Sequence, residues 1–270
     1  MTKAQGLRDV FGWNLPFEPQ LVGPRLLDLL KRGGLLHEVG NCLRSRVRVS
    51  SLGDDLFLHS AFPTDAPDAV FFGPDTYRFA NFIREELKTA PAGGVVVDVG
   101  AGAGAGAITA ARRGRPSRLV LTDVNARALR LAAANLKAAG LGAELIRSNG
   151  LDGLDCRADL IVANPPFIAG SDGHTYRDGG ARHGAQLSLD WALSAVDRLN
   201  PGGRLLLYTG SAIVDGEDRF HTALATQIDA GRARIGYREL DPDIFGGMLG
   251  SEAYADVERI AAVGVVLTRS

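Results

Sequence analysis

Val95-Val96-Val97-Asp98-Val99-Gly100-Ala101-Gly102-Ala103-Gly104 is the stretch that decides the fold. Its first half is an almost unbroken apolar run, short and closed by turn residues, and reads as a strand covered on both faces. The glycines after it let the backbone turn tightly and approach a ligand closely. Ala105 to Arg113 can then run on as a helix. Outward from this unit the alternation recurs: Arg118 to Thr122 as a strand, Asn125 to Ala139 as a helix, Ala143 to Arg147 and Asp159 to Ala163 as strands. A helix from Gln186 to Leu199, a Pro201-Gly202-Gly203 turn and a strand over Arg204 to Thr209 follow. A helix near Asp218 to Ala230 and two strands, Ala233 to Leu240 and Val257 to Thr268, close the chain. Within Asn125 to Ala139, Leu129, Ala132, Ala133 and Leu136 make one apolar stripe at helical spacing, with Gly140 where a C-terminal cap belongs. This alternation predicts an open, doubly wound α/β sheet, mostly parallel.

Upstream the pattern differs. Leucines at 26, 27, 29 and 30 predict a short helix within Gln20 to Arg32, and Arg46 to Leu52 and Leu56 to Ser60 predict strands around Gly53-Asp54-Asp55. A helix over Tyr77 to Lys88 leads into Pro91-Ala92-Gly93-Gly94, a composition that suits a boundary. The expected organisation is an α+β substrate-recognition module over 1–90 and a main domain over 91–270. The 270 residues are 46% hydrophobic and 23% charged, with 30 Lys+Arg against 31 Asp+Glu, which excludes disordered and collagen-like chains. No apolar run approaches the ~20 residues of a membrane-spanning helix. The first residues lack the uninterrupted apolar core of a secretory signal, so the expectation is a cytoplasmic protein. Cys42 and Cys156 stand far apart, with no C-x-x-C and no histidine at metal-ligand spacing, so no disulfide framework and no metal site is expected. A formal charge of −1 lacks the excess of a dedicated nucleic-acid binder. Locally, however, Arg25, Lys31, Arg32, Arg44, Arg46 and Arg48 outnumber Asp28 and Glu38 and could steer RNA or an acidic partner.

The chemistry concentrates at the carboxyl ends of the predicted strands. Asp123 ends the second strand about 20 residues after the glycines, where a carboxylate accepts hydrogen bonds from ribose hydroxyls. A nucleoside-containing cofactor follows. Gly102, Gly104 and Ala107 also satisfy the G-x-G-x-x-G/A dinucleotide pattern, so an NAD(P)-dependent oxidoreductase stays open, as does a cofactor-binding module without catalysis. Asp98 tips the balance: a carboxylate beside the first glycine is awkward next to a pyrophosphate and suits a ligand with an ammonium and a sulfonium, as in S-adenosylmethionine. Asp98 can alternatively cap the turn through backbone N–H groups.

Asn164-Pro165-Pro166-Phe167 directly follows the strand Asp159 to Ala163. The Asn164 side-chain oxygen and the Pro165 carbonyl can each accept one hydrogen of a planar NH2 group. The prolines stiffen the turn and Phe167 offers a stacking face. An amide or exocyclic amine held at both hydrogens has its nitrogen aimed at the methyl group, and no metal is required.

These residues resemble the class I S-adenosylmethionine-dependent methyltransferases that modify planar nitrogen, over about residues 72–270. The signature is similar to that of the release-factor glutamine methyltransferases and of the small-domain ribosomal RNA guanine and transfer RNA adenine methyltransferases. The resemblance implies a seven-stranded sheet with its last strand antiparallel. It further implies that Asn149 contacts adenine and that Phe72-Gly73-Pro74-Asp75-Thr76 closes over the methionine end, which adds Pro74 and Thr76 to the cofactor residues Asp98, Gly100, Gly102, Gly104 and Asp123. The acceptor expected first is a protein glutamine; a nucleobase of ribosomal or transfer RNA and a small amine metabolite are the alternatives. The typical aromatic of the glutamine enzymes is Tyr where this chain has Phe167. The glycine-rich stretch Ile168 to Gln186, with His174, Tyr176, Arg177, Arg182 and His183, is expected to be a substrate-contacting lid.

Overall fold

The computed structural model describes residues 2–62, 64, 66–89, 93–169 and 179–270. The chain begins with α1 (Leu7–Phe11), α2 (Pro24–Arg32) and two antiparallel hairpins, β1 (Leu36–Val39) with β2 (Cys42–Ser45) and β3 (Val47–Leu52) with β4 (Asp55–Ser60). It continues through α3 (Pro74–Glu86), β5 (Val95–Val99), α4 (Ala105–Arg112), β6 (Arg118–Asp123), α5 (Ala126–Ala138), β7 (Glu144–Arg147) and β8 (Ala158–Ala163). Last come α6 (Gln186–Arg198), β9 (Leu199–Val214), β10 (Glu217–Asp218), α7 (Arg219–Gln227), β11 (Ala233–Asp241) and β12 (Arg259–Arg269).

Seven strands run in the order β7-β6-β5-β8-β9-β12-β11, with the two-residue β10 paired onto β9. β7, β6, β5, β8 and β9 are parallel, and β12 lies antiparallel between β9 and β11. This is the Rossmann-like, seven-stranded sheet with its last strand antiparallel that the resemblance implied. Side chains of β5 alternate between the two faces, as the pleat requires. Val96 joins the cluster under α3, α4 and α5, whereas Val97 and Val99 join the one under α6 and α7. The chain leaves β5 toward β6 on one side and pairs it with β8 on the other, so the loops after β5 and β8 diverge and open a crevice between them.

Several elements differ from the sequence reading. α3 starts at Pro74, not at Tyr77, because proline fits the first helical turn, where its missing N–H leaves no bond unmade. β9 begins at Leu199, which already pairs with Ala158; the register shift before Arg204 takes up Pro201-Gly202-Gly203, with Gly202 at φ 73°. On α5 the buried face is Ala128, Leu129, Ala132, Asn135 and Leu136, while Ala133 is exposed. The hairpin β1–β2 and the short α1 are additions.

Pro91 and Ala92 of the expected boundary lie outside the described residues. On either side of them the core is shared: Leu52, Phe57, Phe72, Phe79 and Ile83 belong to one cluster with Val96, Ile108 and Leu121. A separate small cluster of Val10, Phe17 and Val22 lies further upstream. Among the described residues no helix is long and apolar enough to cross a membrane.

Candidate active site

The crevice at the switch point deepens into a cavity of about 650 Å³, within the size range of small-molecule sites. One wall is the glycine turn. Gly100, Gly102 and Gly104 have φ of 64°, 54° and 80°, where a side chain is strained. A Cβ on Gly100 would also lie 2.6 Å from the Trp191 ring, whereas one at Gly102 would meet nothing. The turn thus keeps its backbone open to a ligand.

Asp98 is buried and lines this cavity, and Oδ2 accepts the Ala107 N–H of α4 at 2.7 Å. The cap foreseen as the alternative role of Asp98 is therefore made. Burial, assisted by the charge of Asp123, pushes its carboxyl up to about 8. Asp123, at the end of β6, accepts Gly102 N–H through Oδ2 (2.9 Å) and Asn125 N–H through Oδ1 (2.8 Å), and burial raises its pKa too. Neither carboxylate has a cationic side-chain partner among the described residues. A buried and a half-buried carboxyl lining one cavity, with no cationic side-chain partner among the described residues, disfavour a pyrophosphate and match a cationic ligand. Each Asp123 oxygen keeps a lone pair for a ribose hydroxyl. On these grounds Asp98, Gly100, Gly102, Asp123 and Asn149 fit S-adenosylmethionine.

Asn149, Thr76 and the whole Asn164-Pro165-Pro166-Phe167 turn line the same cavity. Gly104 sits at the N-cap of α4 and does not line it; its Cβ position faces Leu121 and Ala132, so it serves helix–sheet packing. Pro74 also does not line it: its ring is exposed at the start of α3, and Thr76 and Asp75 of the same turn face the cavity instead. No described donor engages the Asn164 amide or the Pro165 carbonyl. Phe167 is buried, with its ring edge-on to Tyr208 (6.2 Å) and Phe245 (5.8 Å). Gly210 makes room for it, since a Cβ there would lie 2.5 Å from Phe167 Cδ2. Tyr208 in turn donates to the buried Asp75 at 2.6 Å, tying the start of α3 to β9.

Of the expected lid, residues 170–178, with His174, Tyr176 and Arg177, lie outside the described residues. Arg182 donates to Gln186 (2.9 Å) and His183 pairs with Asp256 (3.0 Å), and neither lines the cavity. Gly179 and Gly184 pack directly on the Phe167 backbone, where a Cβ would lie 2.7 Å from its Cα and 2.4 Å from its carbonyl oxygen respectively. These glycines buttress the turn.

The sequence reading missed Trp191 and Leu187, which line the cavity from α6 at positions i+4 and i; that spacing after the Asn-Pro-Pro-Phe turn was the available signal. Arg48, read only as part of the basic front, and His59, read with no role, line the cavity as well. His59 is stacked on Phe72 (5.2 Å), with Nδ1 against the Ser60 carbonyl (3.0 Å) and Nε2 against Ser50 Oγ (2.9 Å). Burial and Arg48 push it down to about 4, so it is a neutral wall with both nitrogens engaged.

Comparison with known proteins bears on the fold and the family. The ribosomal RNA small subunit methyltransferase C of Escherichia coli K12 is 33% identical over 156 residues, which are 54% of this chain and 40% of that protein. The protein of the same name from Escherichia fergusonii matches with the same figures. The chain thus spans about 40% of the length of the curated relatives it matches. A T. thermophilus 16S rRNA N2 methyltransferase, solved with AdoMet and guanosine, shares the fold with a TM-score of 0.52 at 18% identity, over 95% of this chain and 64% of that one. A methyltransferase from Pyrococcus furiosus does so with a TM-score of 0.50 at 19% identity, over 74% and 88%. The model of the methyltransferase small domain matches residues 70–213, from the start of the α3 segment to the end of β9. The chain therefore belongs to the methyltransferase small domain family, a family of S-adenosylmethionine-dependent methyltransferases.

Proposed function

We propose that this chain is an N-methyltransferase that transfers the methyl group of S-adenosylmethionine to the exocyclic amine of a nucleobase in small-subunit ribosomal RNA. The observation that carries the reading is the position of two acceptors without a donor among the described residues, the Asn164 amide oxygen and the Pro165 carbonyl, on the cavity that Asp98 and Asp123 also line. When bound, the cofactor supplies an electrophilic methyl on a positively charged sulfur. Asp123 and Asn149 hold its nucleoside, and Asp98 faces its charged end. Asn164 and Pro165 each accept one N–H of the planar amine, which fixes the nitrogen and raises its electron density as the new bond forms. Phe167 supplies the face on which the base rests. Orientation does most of the work. His59 is not a base, since both its nitrogens are occupied, and the amine proton leaves to solvent after transfer.

The same two acceptors would hold a glutamine amide, and the sequence alone ranks protein glutamine first on the resemblance of the turn and on the near-zero net charge. The curated relatives, enzymes of ribosomal RNA by name, favour the nucleobase, as does the aromatic lining of the cavity by Phe167 and by Phe72 with His59 stacked on it. The test is incubation of the purified protein with methyl-labelled S-adenosylmethionine and undermethylated small-subunit RNA or whole lysate. Label released by nuclease and recovered as an N-methylated nucleoside is expected. Label released by protease would restore the glutamine reading.

A further inference from the structure

The front of the chain carries a row of cations that no carboxylate neutralises among the described residues. Along the extended segment from β2 to β3, buried Ser45 and Val47 alternate with Arg44, Arg46 and Arg48, none of which is buried. Ser45 fixes the junction, donating to the Val47 carbonyl (2.6 Å) and accepting Val47 N–H (3.1 Å). Across the hairpin Arg44 is in register with His37, and Arg46 reaches the same strand, its Nε donating to the Leu36 carbonyl at 3.1 Å. Arg48 is committed inward, with Nε and Nη2 donating to the Gly12 carbonyl (2.9 and 2.6 Å), and it lines the cavity.

Among the described residues no carboxylate pairs with these three arginines, although Lys3 and Arg32 of the same module pair with Glu18 and Asp28. Arg44 Nε is buried without a hydrogen-bond partner. Burial and the two neighbouring guanidiniums hold the His37 imidazole below its usual range, which keeps a further positive charge from joining the row. Like charges side by side repel, and a buried donor without an acceptor costs stability. An arrangement that is unfavourable in the free chain is explained by an anion that completes it. Guanidinium groups, always charged and with a rigid fork of donors, suit phosphate oxygens. The row also leads to the cavity: the Arg46 carbonyl accepts Ala61 N–H (3.1 Å), Val47 pairs with Ser60, and Ser60 and Phe62 line the cavity.

We propose that Arg44 and Arg46 bind backbone phosphates of the RNA substrate and guide the strand past Arg48 into the cavity. This rests on the RNA reading above, so binding and methyl transfer are measured separately. The wild type, Arg44→Gln/Arg46→Gln and the control Arg130→Gln/Lys137→Gln, which removes the same charge from the exposed side of α5, are titrated with a fluorescein-labelled ribosomal RNA hairpin over a range of KCl concentrations. At about 0.7 to 0.9 per phosphate contact, the log–log salt slope of the first variant should fall by roughly 1.4 to 1.8, with an affinity loss of roughly tenfold. Its KM for RNA should rise at unchanged kcat, and the control should keep the wild-type slope. Arg44→Lys/Arg46→Lys, which keeps the charge, should also retain it and guards against a folding defect in the glutamine variant. An unchanged slope in the glutamine variant, an equal fall in the control, loss of slope in the lysine variant, or a wild type that does not bind the hairpin would each overturn the proposal. Salt-dependent binding without methyl transfer to any RNA would instead remove the reading above and leave these phosphate contacts standing.

Discussion

Gly210→Ala is a one-methyl test of how tightly the acceptor turn is held. Gly210 lies in β9 opposite Ala262 and has no positive φ, so alanine brings no backbone strain there. Its methyl, however, would lie 2.5 Å from Phe167 Cδ2 and 3.0 Å from Cε2, where carbon atoms prefer about 3.5 to 4.0 Å. The ring must retreat by about 1 Å. Tyr208 and Phe245 stand edge-on to it, so the displacement is passed to the Pro165-Pro166 backbone. Overpacking of this kind costs about 1 to 3 kcal/mol. A misplacement of about 1 Å at a reacting centre costs on the order of 10²-fold in rate. The expected result is a kcat on undermethylated ribosomal RNA lowered by that order, a modest drop in Tm, and a cofactor Kd by calorimetry close to wild type, because the cofactor residues lie on other strands. A kcat within about twofold of wild type in a folded protein would refute the idea that Phe167 sets the turn.

Four further outcomes are expected. Asn164→Ala should lower kcat by about 10²-fold or more and leave cofactor affinity nearly intact, as measured by steady-state kinetics and calorimetry. Asp123→Ala should weaken cofactor binding by at least roughly tenfold, since it loses the ribose acceptor and also frees Gly102 N–H; an unaltered Kd would contradict the assignment. Asp98 has a folded-state pKa of about 8, above its ordinary 3.8, so the protonated form is favoured by folding. Its contribution to stability is complete below pH 3.8 and is lost as pH rises through about 8. A cationic ligand draws out the ionised form, so cofactor binding at pH 7 should release a proton and tighten up to about pH 8. Calorimetry in buffers of different ionisation heat checks this, and Asp98→Asn should abolish the release. Finally, His183→Ala should leave methyl-transfer kinetics unchanged, because His183 pairs with Asp256 away from the cavity.

The sheet was legible because parallel strands covered on both faces are written as short apolar runs, and Val95 to Val99 and Asp159 to Ala163 declare themselves. The two turns that meet at the candidate site were legible as turns because they follow those runs directly. Gly104 and Pro74 were read into the cofactor set from motif position, but one serves packing and the other opens a helix. The hairpin β1–β2 was missed: its strands of four residues are too short to show alternation, although Gly40, at φ 59°, supplies the turn. Asn135 was invisible for another reason. It stands on the buried face of α5 among alanines and leucines, and only the folded chain shows the backbone groups it reaches. Leu58 N–H donates to its Oδ1 (2.8 Å), and its Nδ2 donates to the carbonyls of Leu58 (3.0 Å) and Ala103 (2.9 Å).

That one amide has a consequence for how such enzymes can be rebuilt. Asn135 serves the open edge of β4 as if it were a residue of a third strand, and it is joined through Ala103 to the glycine turn. The segment ahead of residue 70 is thus no cartridge that could be exchanged to redirect the enzyme to another acceptor. A graft of β3–β4 from a relative would have to bring its own partner on α5, or leave a buried amide and two strand groups without partners beside the cofactor loop. Chimaeras cut at residue 70, where the family match begins, would sever the cavity wall from the helix that holds it, whereas chimaeras that carry the hairpin and α5 together would move it intact.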